Sequence, residues 1–324
     1  MSDFGSSNQP IGNILSDSVE SFRDALLTAQ HIIVVAGAGL SAASGIPTFR
    51  GAGGIWRSLD AIDLATPTAF AENPSLVWQF YHYRRVKALE ATPNAAHHLL
   101  AKLTIPSVLK SIAPDFKTYN LITQNVDRLS TRAMESLLSS PSIQFEKRKN
   151  DIPTVNSGGS GGIIEMHGRL FDVRCSKSQE ECDWVEEDLS NPLNVVLGMA
   201  GREAESYESA GSNSSEAVKN IPVEELPKCK KCGALARPGV VWFEEKPKHL
   251  DEINKLVDQA DVCLVVGTSS TVFPAASYAY RVHKRGGTVA VFNLEESDGD
   301  DHANFVFYGP CETELPRVLG ISTD

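Results

Sequence analysis

His31-Ile-Ile-Val-Val-Ala36 runs directly into Gly37-Ala38-Gly39-Leu40-Ser41, and this stretch decides the fold class. Five consecutive apolar, mostly β-branched residues with no alternation predict a strand buried on both faces. The glycines turn the chain sharply, and an Ala/Ser-rich turn ending at Gly45 starts a short helix. Strand, glycine turn and helix start together suit an anion, because bare backbone permits close approach and the helix start carries partial positive charge. The match to a dinucleotide fingerprint is incomplete: the first and third glycines are present, the sixth position has none, and no acidic residue ends a second strand about twenty residues on. Glu295, just past the apolar run Thr288–Asn293, offers a carboxylate for a ribose instead. The polar, glycine-dense segment from Ile46 to Gly54 suits a loop closing over a ligand better than a long helix.

Working outward, apolar runs recur at Tyr119–Thr123, Ile163–Met166, Val262–Val266 and Thr288–Phe292, separated by helical patterns such as Leu250, Ile253, Leu256, Val257. That alternation predicts an α/β fold, a Rossmann-like doubly wound parallel sheet. The pattern begins with a helix behind Asp17-x-x-Glu20, a capping signature. We therefore expect a flexible N-terminus over 1–16, a catalytic domain over 17–172 and 236–324, and a small module over 173–235. Two stretches have loop composition: Ser139–Gly162, which ends in Asn-Ser-Gly-Gly-Ser-Gly-Gly, and Met199–Asn220, rich in Ser, Glu and Gly.

The net charge of −11, from 30 basic and 41 acidic residues, argues against nucleic acid as a direct ligand and suits basic, lysine-bearing partners. Neither a membrane-spanning run nor a secretory signal is visible, and the first thirty residues contain one arginine against four acidic residues. The expectation is an intracellular monomer, in cytoplasm or nucleus, away from membranes.

Cys229-x2-Cys232 forms a knuckle that presents two thiolates to zinc. Cys175 and Cys182, six residues apart, complete a four-thiolate structural site. Cys263 lies inside an apolar run and reads as a buried thiol.

Polar residues follow three of the runs: Gln124-Asn125-Val126-Asp127, His167-Gly168 and Gly267-Thr268-Ser269-Ser270. Ligands of open parallel sheets bind beyond the carboxyl ends of strands, which makes these residues candidates for chemistry. His167, whose type titrates near neutrality, is the candidate general base. Each taken alone has an ordinary structural explanation, and convergence with the glycine loop singles them out.

Six ordered motifs, Gly37–Ser41, Gly45–Arg50, Thr123–Asp127, Glu165–Gly168, Val241–Phe243 and Val266–Ser270, resemble the sirtuins, the NAD-dependent protein lysine deacylases. The resemblance runs from about His31 to Leu319. It implies NAD as a consumed co-substrate surrounded by Gly37, Ala38, Gly39, Ser41, Ala42, Gly45, Ile46, Pro47, Phe49, Arg50 and Trp56. Gln124, Asn125, Val126 and Asp127 are implied at the nicotinamide ribose, with His167, Asn125 and Asp127 as the catalytic set. Gly267, Thr268 and Ser269 would line the adenosine side, Asn293, Leu294 and Glu295 the adenine ribose, and Cys311 the adenine. Val241, Trp242, Phe243 and Glu244, with Ser270–Phe273 opposite, are implied as edges between which a substrate peptide adds as a strand.

Asp63-Leu-Ala-Thr-Pro67 and Phe80-Tyr-His-Tyr-Arg84-Arg are similar to the class III branch, whose members remove succinyl, malonyl and glutaryl groups. Tyr81 and Arg84, three residues apart on a helix, share a face and suit a carboxylate, and Ala65 leaves room for it. The implied products are nicotinamide, free lysine and O-acyl-ADP-ribose. Mono-ADP-ribosyl transfer, deacetylation of ordinary specificity and a non-enzymatic NAD-responsive scaffold are the alternatives. Three departures stand out: Glu244 where the family usually has glycine, the wide Cys175/Cys182 spacing, and the 139–162 insertion.

Overall fold

A computed structural model describes residues 15–48, 54–141, 162–209 and 219–322, with the side chains of 203–209 excepted. In chain order, helix α1 (Val19–Leu27) precedes strand β1 (His31–Ala36) and the short α2 (Gly39–Ala42). The hairpin β2 (Ile55–Trp56) and β3 (Leu59–Asp60) follows, then α3 (Ala61–Leu64), α4 (Pro67–Glu72), α5 (Pro74–Glu90), α6 (Ala95–Lys102) and α7 (Pro106–Lys110). Next come β4 (Thr118–Thr123), α8 (Leu129–Ser139), β5 (Gly162–Glu165), β6 (Gly168–Cys175), β7 (Val185–Glu187), α9 (Val195–Ser209) and β8 (Ala236–Val240). The chain closes with α10 (Leu250–Gln259), β9 (Val262–Val266), α11 (Ala276–Lys284), β10 (Thr288–Asn293), β11 (Phe305–Tyr308) and α12 (Cys311–Leu319).

Six strands form one parallel sheet in the order β11-β10-β9-β1-β4-β5. The connection reverses direction at β1, which lies between β4 and β9, so the ends of β1 and β9 flank a topological switch point. Both faces are buried by alternation: Ile32, Val34 and Ala36 enter one core with Leu121, Leu264 and Phe292, while Ile33 and Val35 enter the other with Ile122, Cys263 and Val291. A third core joins α5 to the antiparallel sheet β7-β6-β8. No helix among the described residues is long and apolar enough to cross a membrane.

Side-chain caps set several boundaries. Asn73 Oδ1 accepts the Leu76 N–H at 2.9 Å, and Pro74 occupies the first helical position of α5, where its missing N–H costs no helical hydrogen bond. At α1 the cap is Ser18, whose Oγ accepts the Ser21 N–H at 3.2 Å, and not Asp17, because the helix begins one residue later than the acidic spacing suggests. The predicted loop over Met199–Asn220 is also corrected: residues to Ser209 belong to α9, where Leu197 and Ala200 are buried with the α5 core and stabilise a helix despite the polar composition. Residues 210–218, and 142–161 of the expected insertion, lie outside the described residues.

Candidate active site and metal centre

The glycine loop meets the end of β9 at the switch point. Gly39 N–H donates to Gly267 O at 2.7 Å and Gly37 N–H to Val266 O at 2.9 Å. Gly267 has φ +60°, and a Cβ there would stand 2.2 Å from Leu40 N, so glycine is required for this close approach. Leu40 and Ser41 also donate their amides within the loop, to Gly37 O and Ala38 O. Four of the five loop amides are thus committed to the fold. The glycines allow two backbones to abut, which places the loop against the end of β9.

Behind the loop lies a buried polar network. Asn94 N–H donates to His97 Nδ1 at 3.3 Å, so the proton of this neutral imidazole sits on Nε2, 3.3 Å from Ser41 Oγ. Burial, with His98 nearby, lowers the His97 pKa to about 3. Asn125 Nδ2 donates to Ser41 Oγ at 3.1 Å and to Gly37 O at 2.9 Å. Asp127 is 5% exposed; burial raises its pKa, opposed by the Leu129 N–H at 2.8 Å, the Ser41 hydroxyl and the Arg84 charge. The sequence reading missed His97 and Asn94, although Asn94-x-x-His97 ahead of an apolar run was a legible capping pattern.

His167 follows β5 and faces the same space. Its Nδ1 lies 3.2 Å from Gln124 O, which can only accept; Nδ1 therefore carries the proton and Nε2 keeps a lone pair. Burial lowers the His167 pKa, and the Gln124 contact opposes that shift. Val241 N–H donates to His167 O at 2.7 Å and fixes the backbone there.

Tyr81 and Arg84 project from α5 into that space. Trp242 Nε1–H donates to the Tyr81 oxygen at 3.0 Å, and burial drives the Tyr81 pKa upward, so the phenol keeps its proton as a donor. Arg84, 7% exposed, donates to Pro47 O at 2.8 Å. Trp242 is in turn held by Glu245, which accepts its backbone N–H at 2.8 Å and pairs with Arg237 at 2.6 Å. The Arg237 guanidinium lies 3.3 Å from the Trp242 ring centroid. Sequence patterns did not single out Arg237 or Glu245, eight residues apart across a turn, because nothing short of the folded turn pairs them.

One cavity of about 770 Å³ collects these groups, a size ordinary for a cofactor site. Its wall includes Gly37, Ala38, Gly39, Ala42, Ile46, Gln124, Asn125, Val126, Asp127 and His167. It also includes Gly267, Thr268 and Ser269, Asn293, Leu294 and Glu295, Cys311, Ala65, Tyr81, Arg84 and Val241–Glu244. Ser41 is fully buried behind the wall, and Gly45 and Pro47 stand beside it without lining it. Trp56 is placed elsewhere, packed on Phe80 and Tyr83 at 5.5 and 6.3 Å and lining a separate pocket. Phe49 and Arg50 lie outside the described residues.

The expected open edge at Val241–Glu244 is not a strand. The Val241, Trp242 and Phe243 amides already donate, to His167 O, Glu245 Oε2 and Ala65 O. Glu244 itself has φ +74°, a left-handed conformation that accounts for glycine being usual there and that costs a side-chain-bearing residue about 1 kcal/mol. Ser270 is likewise left-handed, at φ +53°.

Cys175, Cys182, Cys229 and Cys232 place their sulfurs within 4.8 Å of one another, with Cys175–Cys232 at 3.6 Å and Cys182–Cys229 at 3.7 Å. Tetrahedral zinc with bonds of about 2.3 Å requires sulfurs roughly 3.8 Å apart, so the four thiols fit the ion. The wide Cys175/Cys182 spacing is absorbed by a turn in which Cys182 N–H donates to Ser178 O at 3.0 Å.

The chain is 41% identical over 308 residues to the dog protein named NAD-dependent protein deacylase sirtuin-5, mitochondrial, an alignment covering 94% of this chain and 86% of that one. It is 38% identical to a Daphnia pulex NAD-dependent protein deacylase, covering 94% and 97%, and 38% identical to one from Pyrococcus abyssi, covering 91% and 94%. Several relatives, from dog and Xenopus, are named as mitochondrial, which lends no support to the cytoplasmic or nuclear expectation. Among solved structures, a Sir2 homologue–NAD complex superposes with TM-score 0.68 at 32% identity, covering 95% of each chain. A Sir2–p53 peptide–NAD+ complex superposes with TM-score 0.63 at 25% identity, covering 94% and 98%. Residues 37–140 and 154–274 match the Sir2 family, and with these similarities the chain belongs to it.

Proposed function

We infer that the protein is an NAD-dependent protein lysine deacylase and propose that it prefers acyl groups ending in a carboxylate. The observation that supports this most is the convergence in one cavity of His167, with Nε2 available, and the Tyr81/Arg84 pair. NAD is a substrate in this reading: the acyl-lysine amide oxygen attacks C1′ of the nicotinamide ribose and nicotinamide leaves. His167 Nε2 then accepts a proton from the ribose hydroxyls so that the 2′ oxygen adds to the imidate carbon, and water completes the release of lysine and O-acyl-ADP-ribose. Asn125, anchored to Gly37 O and Ser41 Oγ, and the buried Asp127 position the ribose.

Ala65, Tyr81 and Arg84 select the acyl group. A phenol and a guanidinium offer donors to a carboxylate, and their buried setting strengthens each bond. Acyl-lysine proteins are the partners, and the charge of −11 suits lysine-rich ones. We propose that the protein acts as a monomer without direct nucleic-acid or membrane contact. The test is turnover of a single peptide bearing acetyl, malonyl, succinyl or glutaryl lysine with NAD. Faster release of nicotinamide and O-acyl-ADP-ribose from the acidic acyl peptides is expected; a preference for acetyl would refute the acyl assignment, and ADP-ribosylated protein as the product would refute deacylation.

A further inference from the structure

A second cavity of about 280 Å³ lies on the far side of α5. Tyr81, Arg84 and Ala88 face the first cavity, whereas Gln79, His82, Val86 and Lys87 face the second. These sets fall on opposite sides of a helix with 3.6 residues per turn, so α5 is a wall common to both. The rest of the second wall comes from the β2–β3 hairpin, from Asn191 and Pro192 ahead of α9, and from α9 itself.

The described part of its lining is basic, opposite in sign to the chain as a whole. Arg57, Lys87 and Arg202 line it with His82, and no aspartate or glutamate is among its described lining residues, in a protein of net charge −11. A recess that gathers cations concentrates anions. Arg57 is held by structure: it lies at the hairpin tip, where it and Ser58 are left-handed at φ +50° and +64°. The Arg57 guanidinium sits 4.5 Å over the buried Trp56 ring and reaches Gln79 Oε1 at 3.5 Å. His82 is 6% exposed, and its Nδ1 has no hydrogen-bond partner among the described residues. Its other edge packs on Gly201, where a Cβ would stand 3.0 Å from Nε2. Lys87 meets Glu90 at 3.2 Å, but with 40% and 61% of these side chains exposed the pair is weak and exchangeable.

We propose that this cavity is a second ligand site for a small dianion, a phosphate monoester or a dicarboxylate. Arg57, Arg202 and Lys87 bind the charged groups, and Trp56 with Tyr83 supplies an apolar wall. Guanidinium forks match the planar or tetrahedral oxygens of both anion types. The volume is too small for a dinucleotide and sits at the lower end of small-molecule sites. The site is independent of the deacylase reading, since none of its lining residues lines the first cavity and the titrations without ADP-ribose stand whatever that cavity binds.

The test is calorimetric titration of the full chain at low ionic strength with inorganic phosphate and, separately, with succinate. Each titration is run with and without ADP-ribose to fill the first cavity. Saturable 1:1 binding of at least one anion is expected to persist with ADP-ribose present. It should weaken about tenfold or more in Arg202→Glu and in Lys87→Glu, whose positions are solvent-accessible enough to preserve the fold, and stay unchanged in Arg84→Met. Tighter phosphate binding identifies a phosphoryl ligand and tighter succinate binding a dicarboxylate. No saturable binding of either, or binding lost in Arg84→Met but retained in Arg202→Glu, overturns the proposal.

Discussion

The Trp242 indole N–H donates to the Tyr81 hydroxyl oxygen across 3.0 Å, and through it the Arg237–Glu245 pair holds the donor that faces the main cavity. Because that oxygen accepts from Trp242, the phenol hydrogen is directed to another acceptor. Trp242→Phe keeps most of the ring packing and removes this bond. KM for a succinylated peptide should rise several-fold, by roughly the 0.5–1.5 kcal/mol of a neutral hydrogen bond, while KM for NAD stays constant. A parallel rise in both constants would mean that Trp242 supports the cavity as a whole.

Arg84 supplies the charge. Arg84→Met should depress desuccinylation by about ten- to a hundredfold, the range expected for losing a charge-assisted hydrogen bond, and deacetylation far less. Arg84 also donates to Pro47 O, so a modest common loss is anticipated from the adjoining loop. Equal losses with both peptides would rule out the carboxylate clamp.

His167 should act as base in its neutral form. Burial lowers its pKa below the ordinary 6.5, with the Gln124 carbonyl opposing. The kcat/KM profile should therefore be flat on the acid side until below pH 6.5 and then fall with a slope of one proton. His167→Ala should lower kcat by about 10²–10⁴-fold. A limb centred above pH 7 would assign the base elsewhere.

His97 links pH to stability. Its pKa is about 3 in the fold, against an ordinary 6.5, so above pH 6.5 both folded and unfolded forms are neutral and the residue adds no pH dependence. Between 6.5 and 3 the unfolded chain binds a proton that the folded one excludes, and stability falls as pH falls, by up to about 1.4 kcal/mol per unit. Denaturant unfolding of His97→Gln should show a shallower slope over that window; an unchanged slope would show that His97 titrates freely.

The four-sulfur cluster predicts one zinc per chain. Cys232→Ser, at the exposed member of the set, should remove the metal and lower the unfolding midpoint, as should a strong chelator. Cys263→Ser, in the buried strand β9, should retain one equivalent of zinc whatever its effect on stability. Full metal content in Cys232→Ser would contradict four-thiolate ligation. The same measurements ask whether 173–235 folds as a unit that depends on zinc.

The sequence by itself determined the parallel sheet, because strands buried on both faces must be apolar without alternation, as His31–Ala36 and Val262–Val266 are. It also determined the strand-end candidates, since an apolar run that stops at Gln124, His167 or Gly267 marks where a buried strand reaches a ligand crevice. Tertiary structure alone decided where the glycine loop is anchored: the Gly37 and Gly39 amides bind the end of β9, more than two hundred residues away, and no local pattern encodes that contact. It likewise decided that Trp56 turns from the main cavity, that His97 closes the network behind Ser41, and that Glu245 fastens Trp242 beside Tyr81. These are choices of side-chain direction and long-range pairing. They depend on the shape of the packed core, whereas periodicity and composition report only which face of an element is buried.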